Sequence, residues 1–287
     1  MIKKLLIGGH LSIAGGFWKS VERANQIGAT CLQIFTKSNR QWAAKKITDE
    51  DIEKFLEARK RFNIDLVVAH ASYLINLGSE NIDVQEKSIK ALADEINRCE
   101  LLQIPFLVLH PGSNRSENKL ETCKLIAENI NKVFKIVNPK TTMILLETMA
   151  GQGSTVGKHF EDLAEIIKHI TLKKNIGICV DTCHIFAAGY EFEDEKSYKE
   201  LWKNFNKIIG LEKIKVIHMN DSKKDFNSNV DRHEHIGKGK INNTAFKLIM
   251  NDKNFKDVAK IIETPKSTES LDEDIKNLET LKSYIKK

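Results

Sequence analysis

Two kinds of hydrophobic pattern alternate along the chain. Short apolar runs rich in β-branched residues are separated by longer segments whose apolar positions recur every three or four residues. The runs predict strands over residues 4–9, 31–36, 65–69, 106–109, 142–146, 176–180, 215–219 and 259–262. The longer segments predict helices. Within 84–102, Ile89, Leu92, Ala93, Ile96 and Cys99 form one stripe, and within 120–137 Ile126, Ile130, Val133, Phe134 and Val137 do so. Within 271–285 the stripe is Leu271, Ile275, Leu278, Leu281 and Ile285. Phe106-Leu107-Val108-Leu109 shows no polar alternation, which suits a strand covered on both faces, as in a parallel sheet. Eight such units without a linker-like stretch predict an α/β protein: a single (β/α)8 TIM barrel over residues 1–287, its active site at the C-terminal ends of the strands. An open doubly wound sheet is the alternative, but Gly8-Gly9-His10 lacks the G-x-G-x-x-G turn that would favour it.

Composition narrows the setting. The first residues place lysines before apolar positions, as a signal peptide does, but Gly8 and Gly9 end the run too soon, so it reads as a strand. No apolar run approaches the ~20 residues of a membrane span. The five cysteines are scattered with no CxxC pair, which fits a reducing compartment, and the expected location is the cytoplasm. A formal charge of +6 permits a polyanionic partner without demanding one. Nothing calls for an oligomer, and a monomer is expected.

The strand ends carry the chemistry. The third to sixth predicted strands end in His70, His110, Glu147 and Asp181; the seventh carries His218 and the eighth ends in Glu263. In a barrel these ends open on one rim. Two loops add His184 and the pair Asp231 and His233. Any one of these alone reads more simply as a cap, a turn residue or a satisfied polar group. Together they take five of the nine histidines in the chain. Carboxylates and imidazoles crowded on one rim are costly unless cations offset them. Nine donors exceed the roughly four that one zinc accepts, so two or three metals are implied. Mixed nitrogen and oxygen donors suit zinc or manganese better than magnesium, and clustered metals suit phosphodiester hydrolysis. Cys179 reads as barrel packing, and Cys183 reads as packing more readily than as a ligand. His10 belongs near the site without ligating, His159 and His169 on the surface or at a cap, and His235 is a decoy for His233.

Longer segments then become recognisable. His110-Pro111-Gly112-Ser113, Glu147-Thr148-Met149-Ala150-Gly151-Gln152-Gly153, Asp181-Thr182-Cys183-His184 through Gly189-Tyr190, and His218-Met219-Asn220-Asp221 followed by Asp231-Arg232-His233 resemble the endonuclease IV family. So do Phe35-Thr36-Lys37 with Asn39-Arg40-Gln41-Trp42, and Ser72-Tyr73-Leu74-Ile75-Asn76-Leu77-Gly78. The blocks keep family order from residue 8 to 265. One departure is Ala71, where members of the family often carry a short polar or acidic residue.

The resemblance implies a DNA-repair enzyme that cuts the phosphodiester 5′ to an abasic site, leaving a 3′-hydroxyl, and trims blocked 3′ ends. It implies three zinc ions per chain, with manganese allowed at one site. His70, His110 and a bridging Glu147 would hold the first, Glu147, Asp181, His218 and Glu263 the second, and His184, Asp231 and His233 the third. Glu147 and Glu263 would be catalytic, Glu263 by orienting or deprotonating water. Arg40, Tyr73 and Leu74 would enter the duplex, where a base-less nucleotide stacks poorly and is cheap to extrude. Arg232 would reach a phosphate or support Asp231. A sugar isomerase on the same barrel would explain Glu147, Asp181, His218 and Glu263, but not the separate trio or Arg40 and Tyr73. A DNA-binding protein with structural zinc would show closed, Cys-rich sites.

Overall fold

In the computed structural model, which describes residues 5–116, 118–266 and 270–286, eight parallel strands form a nearly closed barrel with helices between them. They are β1 (Ile7–Gly9), β2 (Cys31–Phe35), β3 (Leu66–His70), β4 (Phe106–Leu109), β5 (Met143–Glu147), β6 (Ile176–Asp181), β7 (Ile214–His218) and, beyond a small ribbon of β8 (Asp221–Ser222) and β9 (His233–Glu234), β10 (Ala259–Ile262). The hydrogen-bonded order is β1-β10-β7-β6-β5-β4-β3-β2. Closure falls between β1 and β2. Thr30 N donates to Ile7 O at 2.8 Å, Leu11 N donates to Gln33 O at 2.8 Å, and His10 pairs with Gln33 in a parallel bridge. Gly8 permits this approach, because a Cβ there would lie 1.8 Å from the Cys31 carbonyl oxygen.

The barrel is filled in layers. Inside it, Cys31, Val68, Val108, Leu145, Cys179, Val216, Ala259 and Ile261 form a buried apolar plug. Side chains two residues apart on a strand share a face. Two residues beyond the plug therefore stand Gln33, His70, His110, Glu147, Asp181, His218 and Glu263, a polar ring directly above apolar packing. The outward faces meet the helices in a second, larger core. In the helix Ile82–Leu101, Leu92, Ala93, Ile96 and Cys99 are buried, and the Asn81 side chain caps its start by accepting from Asp83 N and Val84 N.

The expected boundaries shift by a residue where backbone pairing outruns side-chain polarity. β3, β5 and β6 include His70, Glu147 and Asp181, which pair with Phe35, Cys179 and His218. β7 begins and ends one residue earlier than expected, and an irregularity at Ile178/Cys179 sets Ile214 against Ile178 and Val216 against Cys179. β2 stops at Phe35. Lys4 of the expected first strand lies outside the described residues. The last helix ends at Ser283, leaving Ile285 exposed. Among the described residues no helix is long and apolar enough to cross a membrane.

Candidate metal centre

Glu147 stands at the centre of the ring with no exposed surface. Its Oε2 lies 3.1 Å from His110 Nε2 and 3.3 Å from His70 Nε2, while its Oε1 lies 2.9 Å from His218 Nδ1. One carboxylate therefore faces two sets of nitrogen donors. His218 Nδ1 is also 3.1 Å from Glu263 Oε2 and 3.7 Å from Asp181 Oδ2. On the other side, Asp231 reaches His184 Nε2 at 3.1 Å and His233 Nε2 at 3.2 Å. Donor atoms within 4.8 Å of one another fall into groups that include His70, His110 and Glu147; Glu147, Asp181, His218 and Glu263; and His184, Asp231 and His233.

The ring nitrogens are oriented from behind. His70, His184 and His233 each turn Nδ1 to a backbone carbonyl, of Ala71 at 2.7 Å, Thr148 at 2.7 Å and Glu263 at 3.0 Å. A carbonyl only accepts, so each ring keeps its proton on Nδ1 when neutral and presents the Nε2 lone pair to the cluster. The Nε2 atoms of His184 and His233 are buried and make no hydrogen bond, although the Asp231 oxygens are close. Buried nitrogens that converge on a carboxylate without bonding to it are suited to a shared cation. Asp181 is fixed by Asn220 Nδ2 at 2.6 Å and by His184 N at 3.0 Å, and the Asp231 amide donates to Gln152 Oε1 at 3.0 Å.

Charge is balanced within the cluster. Burial would raise the Glu147 carboxyl, but the imidazoles of His218 and His110 outweigh it and hold the group well below the usual carboxylate range. Burial likewise opposes the ionised form of Glu263, and His218 and His10 overcome it. His233 rises to about 9, against burial, because Asp181 and Asp231 face it. A cation binding here takes the place of those protons. Cys179 and Cys183 also border the donor groups, but burial pushes both thiols up, Cys179 to about 12, and they pack as thiols.

A family model described as a xylose isomerase-like TIM barrel matches residues 21–283. A protein of Chloroflexus aggregans (strain MD-66 / DSM 9485) named "Probable endonuclease 4" is 45% identical over 279 residues, covering 97% of each chain. The chain belongs to the endonuclease IV family. The "Apurinic-apyrimidinic endonuclease" of Caenorhabditis elegans is 41% identical over 263 residues, which are 91% of this chain and 66% of that protein. The crystal structure of endonuclease IV from Thermus thermophilus matches with a TM-score of 0.86 at 34% identity, covering 97% of this chain and 98% of that one.

At the mouth of the barrel the rim loops present the other residues singled out from sequence. Arg40 is exposed after β2, Tyr73 is 56% exposed after β3, and Leu74 beside it is half-buried. The Tyr73 ring lies 5.4 Å from the rings of both His70 and His110, so it borders the cluster of candidate metal donors. Arg232 is exposed and donates to its neighbour's carbonyl, Asp231 O. His235 turns away to Asn277, and His169 pairs with Glu165 on its own helix. His159 is the N-cap residue of that helix. Of the residues that touch proposed ligands, Gln33 lies outside every quoted motif, while Asn220 and Gln152 lie inside quoted blocks without a role assigned to them.

Both rim loops are braced by the helix Ile82–Leu101. Arg98 donates to Thr36 O and Lys45 O, Glu95 Oε1 accepts from Ser72 N at 3.0 Å, and Ser72 Oγ donates to Asn39 O at 2.9 Å. Glu95 is buried, and burial lifts its carboxyl to about 7 against the pull of Lys37. The folded state thus keeps this proton to higher pH than the unfolded chain. Its contribution to stability is full below about pH 4.5 and is lost as pH rises to about 7, by about 3 kcal/mol. Glu95→Gln removes that loss. Between pH 5 and pH 7.5 the melting temperature of the variant should rise relative to that of the parent at equal metal loading. A difference that stays constant with pH would contradict this.

Proposed function

We propose that this chain is a zinc-dependent DNA-repair endonuclease, acting as a single-domain monomer, that hydrolyses the phosphodiester 5′ to an abasic site and leaves a 3′-hydroxyl. Trimming of blocked 3′ ends belongs to the same reading. The observation that carries it is the convergence of nine donor side chains around Glu147 and Asp231. The name of the Chloroflexus relative supports an endonuclease, and that of the Caenorhabditis relative supports abasic sites as its substrate.

His70, His110 and Glu147 would hold one zinc, Glu147, Asp181, His218 and Glu263 a second, and His184, Asp231 and His233 a third, with manganese an alternative at one of them. Bound there, such ions supply Lewis acidity that activates water near neutral pH and offsets the charge of the phosphate. The protein does the rest. The backbone carbonyls behind His70, His184 and His233 hold the rings in the productive tautomer. Glu263, at the open side of the cluster, is ionised and placed to orient water or take its proton. Arg40, Tyr73 and Leu74 stand on braced loops at the same mouth, suited to fill the gap left by an extruded base-less nucleotide. Arg232 is placed to meet a phosphate beside Asp231.

A sugar isomerase on this barrel has no use for the separate trio of His184, Asp231 and His233, nor for an exposed tyrosine between rim loops. The test is a duplex carrying one abasic site beside an undamaged control, with elemental analysis of the same preparation. The expected result is nicking of the first duplex only, three zinc ions per chain, and loss of nicking on chelation. One or two divalent ions without nicking would favour the isomerase. Protein that nicks freely with no transition metal would overturn the metal reading.

A further inference from the structure

We infer that Gln33 is a positioning residue that sets the tautomer of His218 and the orientation of Glu263, an inference that rests on the metal-dependent reading above. Gln33 lies on β2 with no exposed surface, in the same inward layer as the proposed ligands. Among the strands of the barrel, β2 contributes none of those ligands. Its place in the ring is taken by an amide, which cannot carry the charge of a carboxylate. What the amide touches shows its use.

Gln33 Nε2 donates to Glu263 Oε1 at 2.6 Å, and Gln33 Oε1 lies 2.9 Å from His218 Nε2. An ionised carboxylate only accepts, so the NH2 end of the amide must face Glu263. The carbonyl end must then face His218, and that oxygen can only accept. His218, when neutral, therefore carries its proton on Nε2 and turns the lone pair of Nδ1 towards Glu147, Glu263 and Asp181. This is the reverse of His70, His184 and His233, whose Nδ1 atoms face carbonyls behind them. For those three the main chain fixes the ring. For His218 a side chain does so, and the same side chain reaches a carboxylate of the same donor group. His10 Nδ1 lies 3.0 Å from the same oxygen and 3.0 Å from Gln33 Nε2, so it stands beside the amide rather than opposite it. Partners of this kind behind a metal ligand typically contribute about 10–100-fold in metal affinity or activity.

Three measurements test this on the full-length, zinc-loaded protein. In the parent protein, long-range ¹H–¹⁵N spectra should show His218 protonated at Nε2. Protonation at Nδ1 would overturn the inference without any variant. Gln33→Leu, and Gln33→Met as a longer apolar replacement, should release one zinc of three to a chelator about 10–100-fold faster than the parent. Their kcat on an abasic duplex should fall by a similar factor while KM changes little, since the rim loops are untouched. Parent-like zinc release and turnover in a folded variant would overturn the role of Gln33 alone. Parent protein that binds no zinc or cuts no abasic duplex would instead overturn the functional reading beneath it.

Discussion

Glu147→Gln is expected to lose abasic-site nicking by about a thousandfold or more and to keep one zinc of three. The reason is the geometry of a single carboxylate. Its two oxygens face opposite donor sets, Oε2 towards His70 and His110 and Oε1 towards His218. An amide has one accepting oxygen and one donating nitrogen. Whichever way Gln is turned, one set meets N–H hydrogens where it had an anionic oxygen, and the negative charge is lost from both. The group of His184, Asp231 and His233 does not include Glu147 and should retain its ion. A thousandfold loss corresponds to about 4 kcal/mol of barrier, the scale expected when charge stabilisation at a reacting phosphate is removed. Elemental analysis of the purified variant, read beside its nicking rate, is the check. A variant holding three ions and cutting normally would remove Glu147 from the centre of the mechanism.

The prominence of Glu147 is legible in the sequence because it interrupts an apolar run. Met143 to Leu146 are the residues of a strand covered on both faces, and a carboxylate directly after them has no place in ordinary packing. The same contrast marks His70, His110, Asp181 and Glu263, and it locates the rim of the barrel along with the fold. It also misplaces strand ends by a residue, since a ladder is made by amides and carbonyls that ignore side-chain polarity. Asp231 and His233 are legible only as ligand types in a loop, since they sit on or beside a strand of two residues, too short to carry a pattern of its own, and the family motif adds their grouping with His184. Gln33 is the instructive omission. Its signal is present, a polar residue at the inward position two beyond Cys31, where β3 has Val68 then His70 and β6 has Cys179 then Asp181. It escapes a search for ligands because Gln is not a metal-ligand type. Asn220 and Gln152 stand in the quoted family blocks, but what they do there is not legible: their partners Asp181 and Asp231 lie far along the chain, and only the closed barrel and its loops bring them together.

Glu263→Gln separates ligand from base more sharply than any change at Glu147. Glu263 is the most exposed carboxylate of its donor group, with 13% of its side chain accessible, and both oxygens already have partners. Its main chain is held independently, by donation from Glu263 N to Asn220 Oδ1 at 2.7 Å. The substitution is nearly isosteric, so abasic-duplex binding should stay within about threefold while nicking falls by about a thousandfold. The parent carboxyl is held well below its ordinary range by His218 and His10 despite burial, so at neutral pH it is ionised and offers two anionic oxygens to orient water, which Gln does not. If the variant keeps three zinc ions and loses cutting, Glu263 handles the proton. If it loses one ion as well, ligation is part of its role, and equal nicking by variant and parent would exclude both. Because Gln33 acts on Glu263 and His218 together, the pair of substitutions supplies a further discrimination. Gln33→Leu added to Glu263→Gln should slow nicking by less than Gln33→Leu alone does in the parent, since part of what it supports has already gone. Full additivity would mean that the two residues serve the reaction separately, with Gln33 acting through His218 alone.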